Sequence, residues 1–356
     1  MLRYFVVGWM SLVSMALGGE LENFVTSAEK KHGEFGAKAA KFLVEGMPKK
    51  DREVLSEEFL MVNLDLALKA REEFPWAGEV PEEVFFNDVL PYASLDETRE
   101  DWRTGFYPKC AEIVKGAKSA SEAAQLLNQK LFKLINVHYG RKRKAPNQSP
   151  AESIEQSKAT CTGLSIILVD ACRAVGVPAR IVGTAMWATK KGNHTWVEIY
   201  DGGGWYFAGA DEFDAKGLNR GWFVKDASQA IEEKWQHAIW ATSWKEADSF
   251  FPMVWNIRNR EVSGVNVTAR YVAQAEVVQG GEGMMFIRVW DKKGGERVVA
   301  ILNGKVKTKA GTADLNDMAE VKAKAGETVK VTIGEVTKKA ILPEGKTVDL
   351  YWNELK

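Results

Sequence analysis

Cysteine is scarce in this chain: there are three in 356 residues, Cys110, Cys161 and Cys172. An odd and small number does not make the disulfide framework on which small exported domains depend, whereas it fits one free, reactive thiol. The four histidines lie far apart, and none stands at metal-site spacing from a cysteine. The composition therefore implies no disulfide scaffold, no metal and no cofactor.

An excess of charge of either sign is also missing, since Lys+Arg and Asp+Glu both number 48. A balanced chain has no overall field to attract nucleic acid or an acidic polymer. The basic run at residues 141–144 has no interleaved aromatic residues, which favours a solvated loop. We therefore expect no nucleic-acid partner.

Long hydrophobic runs are absent as well. The apolar stretch at residues 4–17 is shorter than a membrane-spanning helix requires. Arg3 precedes this stretch, and Ala16 with Gly18 gives a small-x-small cleavage pattern. These features predict a signal peptide at residues 1–18 and an exported protein, secreted or periplasmic, with no stable membrane insertion once the signal is removed. An uncleaved N-terminal anchor is the alternative.

What the chain does contain is a continuous apolar segment that follows a cysteine. Cys161 stands where a polar loop changes to an apolar stretch at residues 164–175. Gly176 and Pro178 then end the stretch, as a glycine C-cap followed by proline ends a helix. The pattern predicts a buried helix with Cys161 at its N-terminus.

Strand signals follow this helix. Residues 179–183 form a short β-like run, and residues 194–200 alternate as a strand does. An Asp-Gly-Gly-Gly turn at 201–204 predicts a hairpin, with residues 205–211 as the return strand. A helix packed on this hairpin brings Cys161 close to the residues that the strands carry.

The residue types at these positions suit nucleophilic catalysis by a thiol. A helix N-terminus favours the thiolate of Cys161 and offers N–H groups to an oxyanion. His194, at the start of the second strand, can accept the thiol proton. A carboxylate such as Asp211 can fix the tautomer of the imidazole.

The motifs of this region resemble those of the transglutaminase-like superfamily of papain-like cysteine enzymes. The Cys-x-Gly opening, the Arg-Ala-x-Gly-x-Pro-Ala-Arg helix exit and the His-x-Trp-x-Glu strand match at Cys161, Gly163, Arg173, Gly176, Pro178, Arg180, His194, Trp196 and Glu198. The resemblance covers residues 120–225. It implies an α+β fold in which the helix bearing the Cys packs on an antiparallel sheet, with a Cys-His-Asp triad.

The third catalytic residue departs from the family pattern. The family places an Asp four positions after the Trp of the return strand, and that position is Gly209 here. Alternation along a strand keeps Gly209 and Asp211 on one face, which favours Asp211. A bulge, or a strand that has already ended, favours Glu212 instead.

Several other residues invite a functional reading. Cys172 lies inside the apolar helix and is interpreted as core. His138 is a candidate second base and Tyr139 a candidate oxyanion donor, although a lone histidine near a loop is more often incidental. Glu198 is interpreted as a structural carboxylate and Arg180 as a member of a structural ion pair.

The remainder of the chain divides by its periodicity. Residues 19–118 have helical spacing, and residues 119–258 form the transglutaminase-like core, with a further strand at 221–224. Residues 259–356 alternate in short runs between turns, beginning at 265–272, which predicts an accessory β-sandwich.

Together these features predict an exported cysteine enzyme that hydrolyses or transfers amide bonds of peptides or proteins. Cys161 attacks, His194 moves the proton and Asp211 orients His194; peptides, proteins or peptidoglycan are the expected substrates. Hydrolysis is favoured over crosslinking, because water is the abundant second substrate in an extracellular cleft. The alternative is a binding or scaffold module with weak or no activity.

Overall fold

The structure, a computed structural model, describes residues 19–272, 284–310, 318–323, 326–343 and 347–356. The signal peptide expected at residues 1–18 lies outside the described residues. None of the helices in the described part combines the length and the apolar character that crossing a membrane requires.

The amino-terminal region is built from helices packed around an apolar core. They are α1 (Gly19–Glu45), α2 (Lys49–Val54), α3 (Glu57–Glu73), α4 (Pro75–Gly78), α5 (Glu82–Asp88) and α6 (Trp102–Ile113). Gly33 interrupts α1 with a φ of 67°, a left-handed conformation that glycine adopts at little cost. Ser56 caps α3 by accepting a hydrogen bond from the N–H of Phe59.

The middle of the chain combines helices with a mainly antiparallel set of strands. The helices are α7 (Ala120–Ile135), α8 (Pro150–Gln156), α9 (Cys161–Ala174), α10 (Val224–Ala227) and α11 (Thr268–Val272). The strands are β1 (His138–Tyr139), β2 (Lys158–Ala159), β3 (Ala179–Thr184), β4 (His194–Asp201), β5 (Gly204–Ala208), β6 (Trp240–Ser243), β7 (Ser249–Phe250) and β8 (Ser263–Asn266). In the described residues the main sheet has the order β5-β4-β3-β6-β8-β7, and β1 pairs with β2 in parallel. The predicted α+β class is confirmed.

Helix α9 lies inside this core and begins at Cys161. All of its later residues are buried, and it contacts α6, α7, β3 and β4. A helix that is apolar on every face is stable only when its neighbours cover every face, so the continuous apolar run and the burial agree. Gly176 follows the helix with a φ of 70°, as the glycine C-cap predicts.

The β4–β5 hairpin determines where the other site residues lie. Its turn is formed by Gly202 and Gly203, whose positive φ values of 54° and 87° match the twist of the two strands. Strand β5 ends at Ala208, three residues before the end of the predicted return strand at 205–211. The chain therefore leaves the sheet just before the acidic residues of the site.

The described residues of the carboxy-terminal region form two small sheets. Its strands are β9 (Met284–Trp290), β10 (Ile301–Leu302), β11 (Val306–Lys307), β12 (Ala319–Lys322), β13 (Thr328–Ile333), β14 (Val336–Ile341) and β15 (Thr347–Tyr351). One sheet has the order β11-β10-β13-β14 and the other β12-β9-β15. Side chains of both sheets share one apolar core, as in a β-sandwich. Lys191, in the loop before β4, pairs with Glu320 of β12 at 3.6 Å.

Two segments differ from the predicted secondary structure. Residues 221–224, predicted as a strand, form a turn that leads into α10, because the N–H of Val224 bonds back to the carbonyl of Gly221. Residues 265–272, predicted as a sandwich strand, are divided between β8 and α11. Strand β8 pairs with β6 of the core sheet, and Asn266 accepts a hydrogen bond from the first N–H of α11.

Candidate active site

Cys161 is the first residue of α9. The side chain of its N-cap residue, Thr160, makes no hydrogen bond to the first turn and instead accepts one from Arg143 at 3.0 Å. The N–H groups of that turn therefore have no capping side chain and face the site with the positive end of the helix dipole. Gly163 explains the Cys-x-Gly motif: a Cβ there would lie 2.9 Å from that of Ala159, so only glycine lets the helix start this close to β2.

The thiol of Cys161 lies against the first residues of β4. Thr195 donates hydrogen bonds to it from its backbone and side chain, and Thr162 does the same from its own helix. Burial raises the pKa of the thiol above its ordinary value, and these hydrogen bonds oppose that effect. Residue 161 as a whole is nevertheless partly exposed, at the wall of a cleft. In the resting structure the sulfur is therefore a protonated thiol with access to the cleft.

His194 opens β4, one position before Thr195, and is enclosed by aromatic rings. The centroids of Trp222 and Phe223 lie 4.7 and 4.9 Å from that of the imidazole, and Trp196 stacks on it at 5.7 Å. This burial, helped by the positive charge of Lys190, lowers the pKa of His194 to about 3. The imidazole is therefore neutral at physiological pH and able to accept a proton.

One nitrogen of this imidazole lacks a partner. Nε2 of His194 is buried and makes no hydrogen bond in the described part of the chain. A buried nitrogen without a hydrogen bond is costly, by about 1–3 kcal/mol. Neither Asp211 nor Glu212 supplies that bond in this structure.

Asp211 lies outside the strand on which the alternation argument depended. Asn128 of α7 donates to the carbonyl of Gly209 and accepts from the N–H of Asp211, both at 2.9 Å. Its side-chain amide therefore supplies, after β5 ends, the backbone hydrogen bonds that a neighbouring strand would supply. Asp211 has a left-handed φ of 62°. Its carboxylate lies 3.0 Å from Nδ1 of His138, with which it forms an ion pair when that ring is protonated.

Glu212, the alternative third residue, points its carboxyl group back towards the sheet. A Cβ built on Gly209 would lie 2.7 Å from the carboxyl carbon of Glu212, well inside van der Waals contact. Oε1 of Glu212 accepts a hydrogen bond from the indole N–H of Trp222 at 2.9 Å. Burial raises the pKa of this carboxyl group. The hydrogen bond from the indole N–H lowers this pKa, and the nearby charge of Asp211 raises it.

A single cleft of about 420 Å³ joins these groups, since Cys161, His194, Asp211, Glu212 and Trp222 all line it. The arrangement can support proton transfer from a thiol to an imidazole beside a helix N-terminus.

The rim of the cleft is cationic. Arg141, Lys190 and Lys191 all line it. Lys190 pairs with Asp226 and Lys191 with Glu320, so both lysines have acidic partners in the resting structure. Tyr139, the candidate oxyanion donor, lines the same cleft.

Two functional neighbours were missed by sequence reasoning. Trp222 lies in a run that was interpreted as a strand. Asn128 had a detectable signal, because it is a polar residue on the apolar face of the amphipathic helix α7, between Ala124 and Leu131. A polar side chain at such a position needs a buried partner, and it finds one in the turn after β5.

The remaining candidates have structural surroundings. Cys172 and Cys110 are fully buried, and burial raises the pKa of both thiols. Glu198, also fully buried, accepts hydrogen bonds from Arg180 at 2.8 and 3.0 Å and from the hydroxyl of Tyr271 at 2.9 Å. The structural reading of Arg180 and Glu198 is confirmed.

The network around Glu198 extends behind the imidazole. The indole N–H of Trp196 donates to the Tyr271 hydroxyl at 2.8 Å, and Arg270 also donates to Glu198. Because Trp196 stacks on His194, this network also supports the imidazole ring.

Comparison with known proteins agrees with this geometry. Residues 108–210 match the family model of the transglutaminase-like superfamily. The chain carries a transglutaminase-like core. The matched segment includes Cys161 and His194, whereas Asp211 and Glu212 fall just beyond it. The resemblance seen in the sequence motifs is thereby confirmed.

Other comparisons add little to the transglutaminase-like assignment. No curated protein matches the chain in sequence. One solved structure, a candidate cysteine protease from Cytophaga hutchinsonii, is 19% identical and has a TM-score of 0.27. The similarity covers 33% of this chain and 40% of that protein, so this chain spans less than half of its length. A similarity of this size carries no argument about fold or activity.

Proposed function

We propose that this protein is an exported cysteine enzyme that cleaves amide bonds of peptides or proteins, with Cys161 as nucleophile and His194 as proton carrier. The observation that carries the proposal is the position of the Cys161 thiol. It lies at an uncapped helix N-terminus and is hydrogen-bonded by Thr195, the residue next to a neutral, partner-lacking imidazole. A packing cysteine has no need of this arrangement.

The reaction begins from a neutral pair, because the pKa of the thiol is raised and that of His194 is lowered. The thiol proton passes to the imidazole as sulfur bonds to the carbonyl carbon and the π electrons move to oxygen. The N–H groups of the first turn of α9 stabilise this oxyanion. The intermediate then expels the amine, which takes the proton from the imidazolium, and water hydrolyses the thioester to regenerate the thiol.

Hydrolysis is favoured over crosslinking, since water is the abundant second substrate in an exported protein's surroundings. Peptides, proteins and peptidoglycan stem peptides are the substrate classes to be compared. The third member of the triad is a carboxylate from the turn after β5, where Asp211 was the choice from sequence and Glu212 the alternative.

A second function is supported by two features of the same site. The unpartnered Nε2 of His194 and the protonated thiol fit a catalytically weak binding or scaffold module. In that case the cleft holds a peptide without cleaving it.

A cysteine-directed electrophile that mimics an amide separates the two functions. We expect the wild-type protein to be labelled at one site, Cys161→Ala to lose labelling, and Cys172→Ala, a matched buried-cysteine control, to retain it. His194→Gln should slow labelling by about 10²-fold or more without unfolding the chain. Absent labelling, or labelling that survives in Cys161→Ala, contradicts the enzymatic function.

A further inference from the structure

We propose that Glu212 is the positioning residue for His194, its carboxylate taking the place of a side chain at Gly209 and accepting a hydrogen bond from Nε2. The inference deepens the proposed function and rests on it. It assigns the role to Glu212 rather than to Asp211, although both line the same cleft.

The packing of its two neighbours places Gly209 on the face of the sheet that carries His194. Glu198 of β4 pairs directly with Phe207 of β5, so their side chains project from the same face. Strand β5 ends one residue before Gly209, but Ala208 and Ala210 on either side of it pack with Val197 and Ile199 in the core of the other face. Residue 209 is therefore directed to the face of Trp196, on which His194 stacks.

The carboxyl group of Glu212 occupies the side-chain space of this glycine. The Cβ position of Gly209 lies 3.1 Å from the Cβ of Glu212 and 2.7 Å from its carboxyl carbon. A side chain at residue 209 would have to displace the carboxyl group of Glu212. Residue 209 thus has no carboxylate of its own, and Glu212 places one in the same space.

Trp222 connects the carboxylate to the imidazole. Its indole N–H holds Oε1 of Glu212 at 2.9 Å, and its ring centroid lies 4.7 Å from that of His194. Oε2 is the oxygen nearest Gly209, on the His194 face, and it can accept from Nε2–H while Trp222 continues to hold Oε1. With Nε2 as donor, Nδ1 carries the lone pair that takes the thiol proton.

Asp211 is less suited to this role. Its carboxylate is bound to His138, and Asn128 fixes its backbone. The other charged group that faces the imidazole is Lys190, which lowers the pKa of His194 and gives no hydrogen-bond acceptor to Nε2.

The rate of Cys161 alkylation by iodoacetamide, measured against pH, tests the assignment. We expect Glu212→Gln and Glu212→Ala to slow alkylation by about 10²-fold at neutral pH. Asp214→Asn, a surface control that loses an ion pair with Arg220, should react as the wild type does. A greater loss in Asp211→Asn than in Glu212→Gln overturns the assignment to Glu212.

Moving the carboxylate back to residue 209 provides a rescue. The double variant Gly209→Asp with Glu212→Ala lacks the carboxyl group that a new Cβ would meet and keeps one tight contact, 3.1 Å from the Cβ of residue 212. We expect it to react at least tenfold faster than Glu212→Ala. Gly209→Asp alone should displace the carboxyl end of Glu212. Failure of the rescue in a folded double variant counts against the proposal.

Histidine ring NMR gives a readout that does not depend on activity. We expect the Nε2–H tautomer of His194 to dominate in the wild type and in Asp211→Asn, and a mixture of tautomers in Glu212→Ala. Unlabelled Cys161 in the wild type refutes the proposed function. Normal labelling with an unchanged tautomer in Glu212→Ala refutes only the role of Glu212.

Discussion

Replacing Trp222 by alanine should raise the pKa of His194, because the indole is one of the rings that exclude water from the imidazole. Burial lowers this pKa from 6.5 to about 3, a gap of about 3.5 pH units that corresponds to ~5 kcal/mol against the charged ring. Four rings surround the imidazole, with centroids 4.7–6.1 Å away. Lys190 supplies a smaller part of the gap, so an equal share for Trp222 is at most about 0.9 pH unit, or ~1.2 kcal/mol, which places the pKa of the variant near 4.

NMR titration of the histidine rings measures this pKa, with His194→Gln used for assignment and circular dichroism to define the folded range. The wild-type ring should stay neutral throughout pH 5–8, and the midpoint in Trp222→Ala should lie about 1 pH unit higher than in the wild type. Trp352→Ala, in the sandwich, is the matched control. A wild-type midpoint near 6.5, or one that Trp222→Ala leaves unmoved, refutes the role of the aromatic rings.

Two further variants test parts of the fold that support the site. Asn128→Ala should cost about 2–3 kcal/mol in unfolding free energy and slow Cys161 alkylation, because the N–H of Asp211 and the carbonyl of Gly209 lose their partners. Asn128→Asp keeps the acceptor but sets a buried carboxylate oxygen against the Gly209 carbonyl, so it should cost at least as much in denaturant unfolding. Arg103→Met should cost about 3–5 kcal/mol in the same assay, because it removes a buried guanidinium that donates to Asn63 and to four backbone carbonyls. A cost below ~1 kcal/mol would contradict this reading.

The parts of the fold that are determined locally were predictable. The buried helix from Cys161, its glycine C-cap at Gly176, and the strand that begins at His194 each follow from a pattern within a few residues. Continuous apolar character, positive φ and alternation are properties of the segment itself. The nucleophile and the base could therefore be proposed from sequence.

The third residue depends on contacts that sequence periodicity does not contain. Strand β5 ends where Asn128, about 80 positions earlier in the chain, binds the backbone of the turn. Counting alternate residues from Gly209 to Asp211 assumes that β5 continues through them, and it does not. The run at 221–224 was also misread, because aromatic residues at a turn around an active site have the same composition as a core strand.

Local sequence patterns also do not show where the core sheet ends. The residues of β8 and α11 have a pattern of apolar and polar side chains like that of the sandwich strands. Strand β8 is nevertheless hydrogen-bonded to β6. Its position in the sheet is determined by a long-range pairing, which a window of ten residues does not reveal.

The hydroxyl of Tyr271 is shared between Trp196 and Glu198, on the strand that begins with His194. A shortened protein that stops at residue 258 would keep the sulfur, the imidazole and both acidic side chains. It would nevertheless lack β8 and this phenol, so the ring behind the imidazole would lose its anchor and the edge of β6 would be open to pairing with other chains. Any excised fragment of the transglutaminase-like core must therefore extend through residue 272 to keep this phenol and the pairing of β6 with β8.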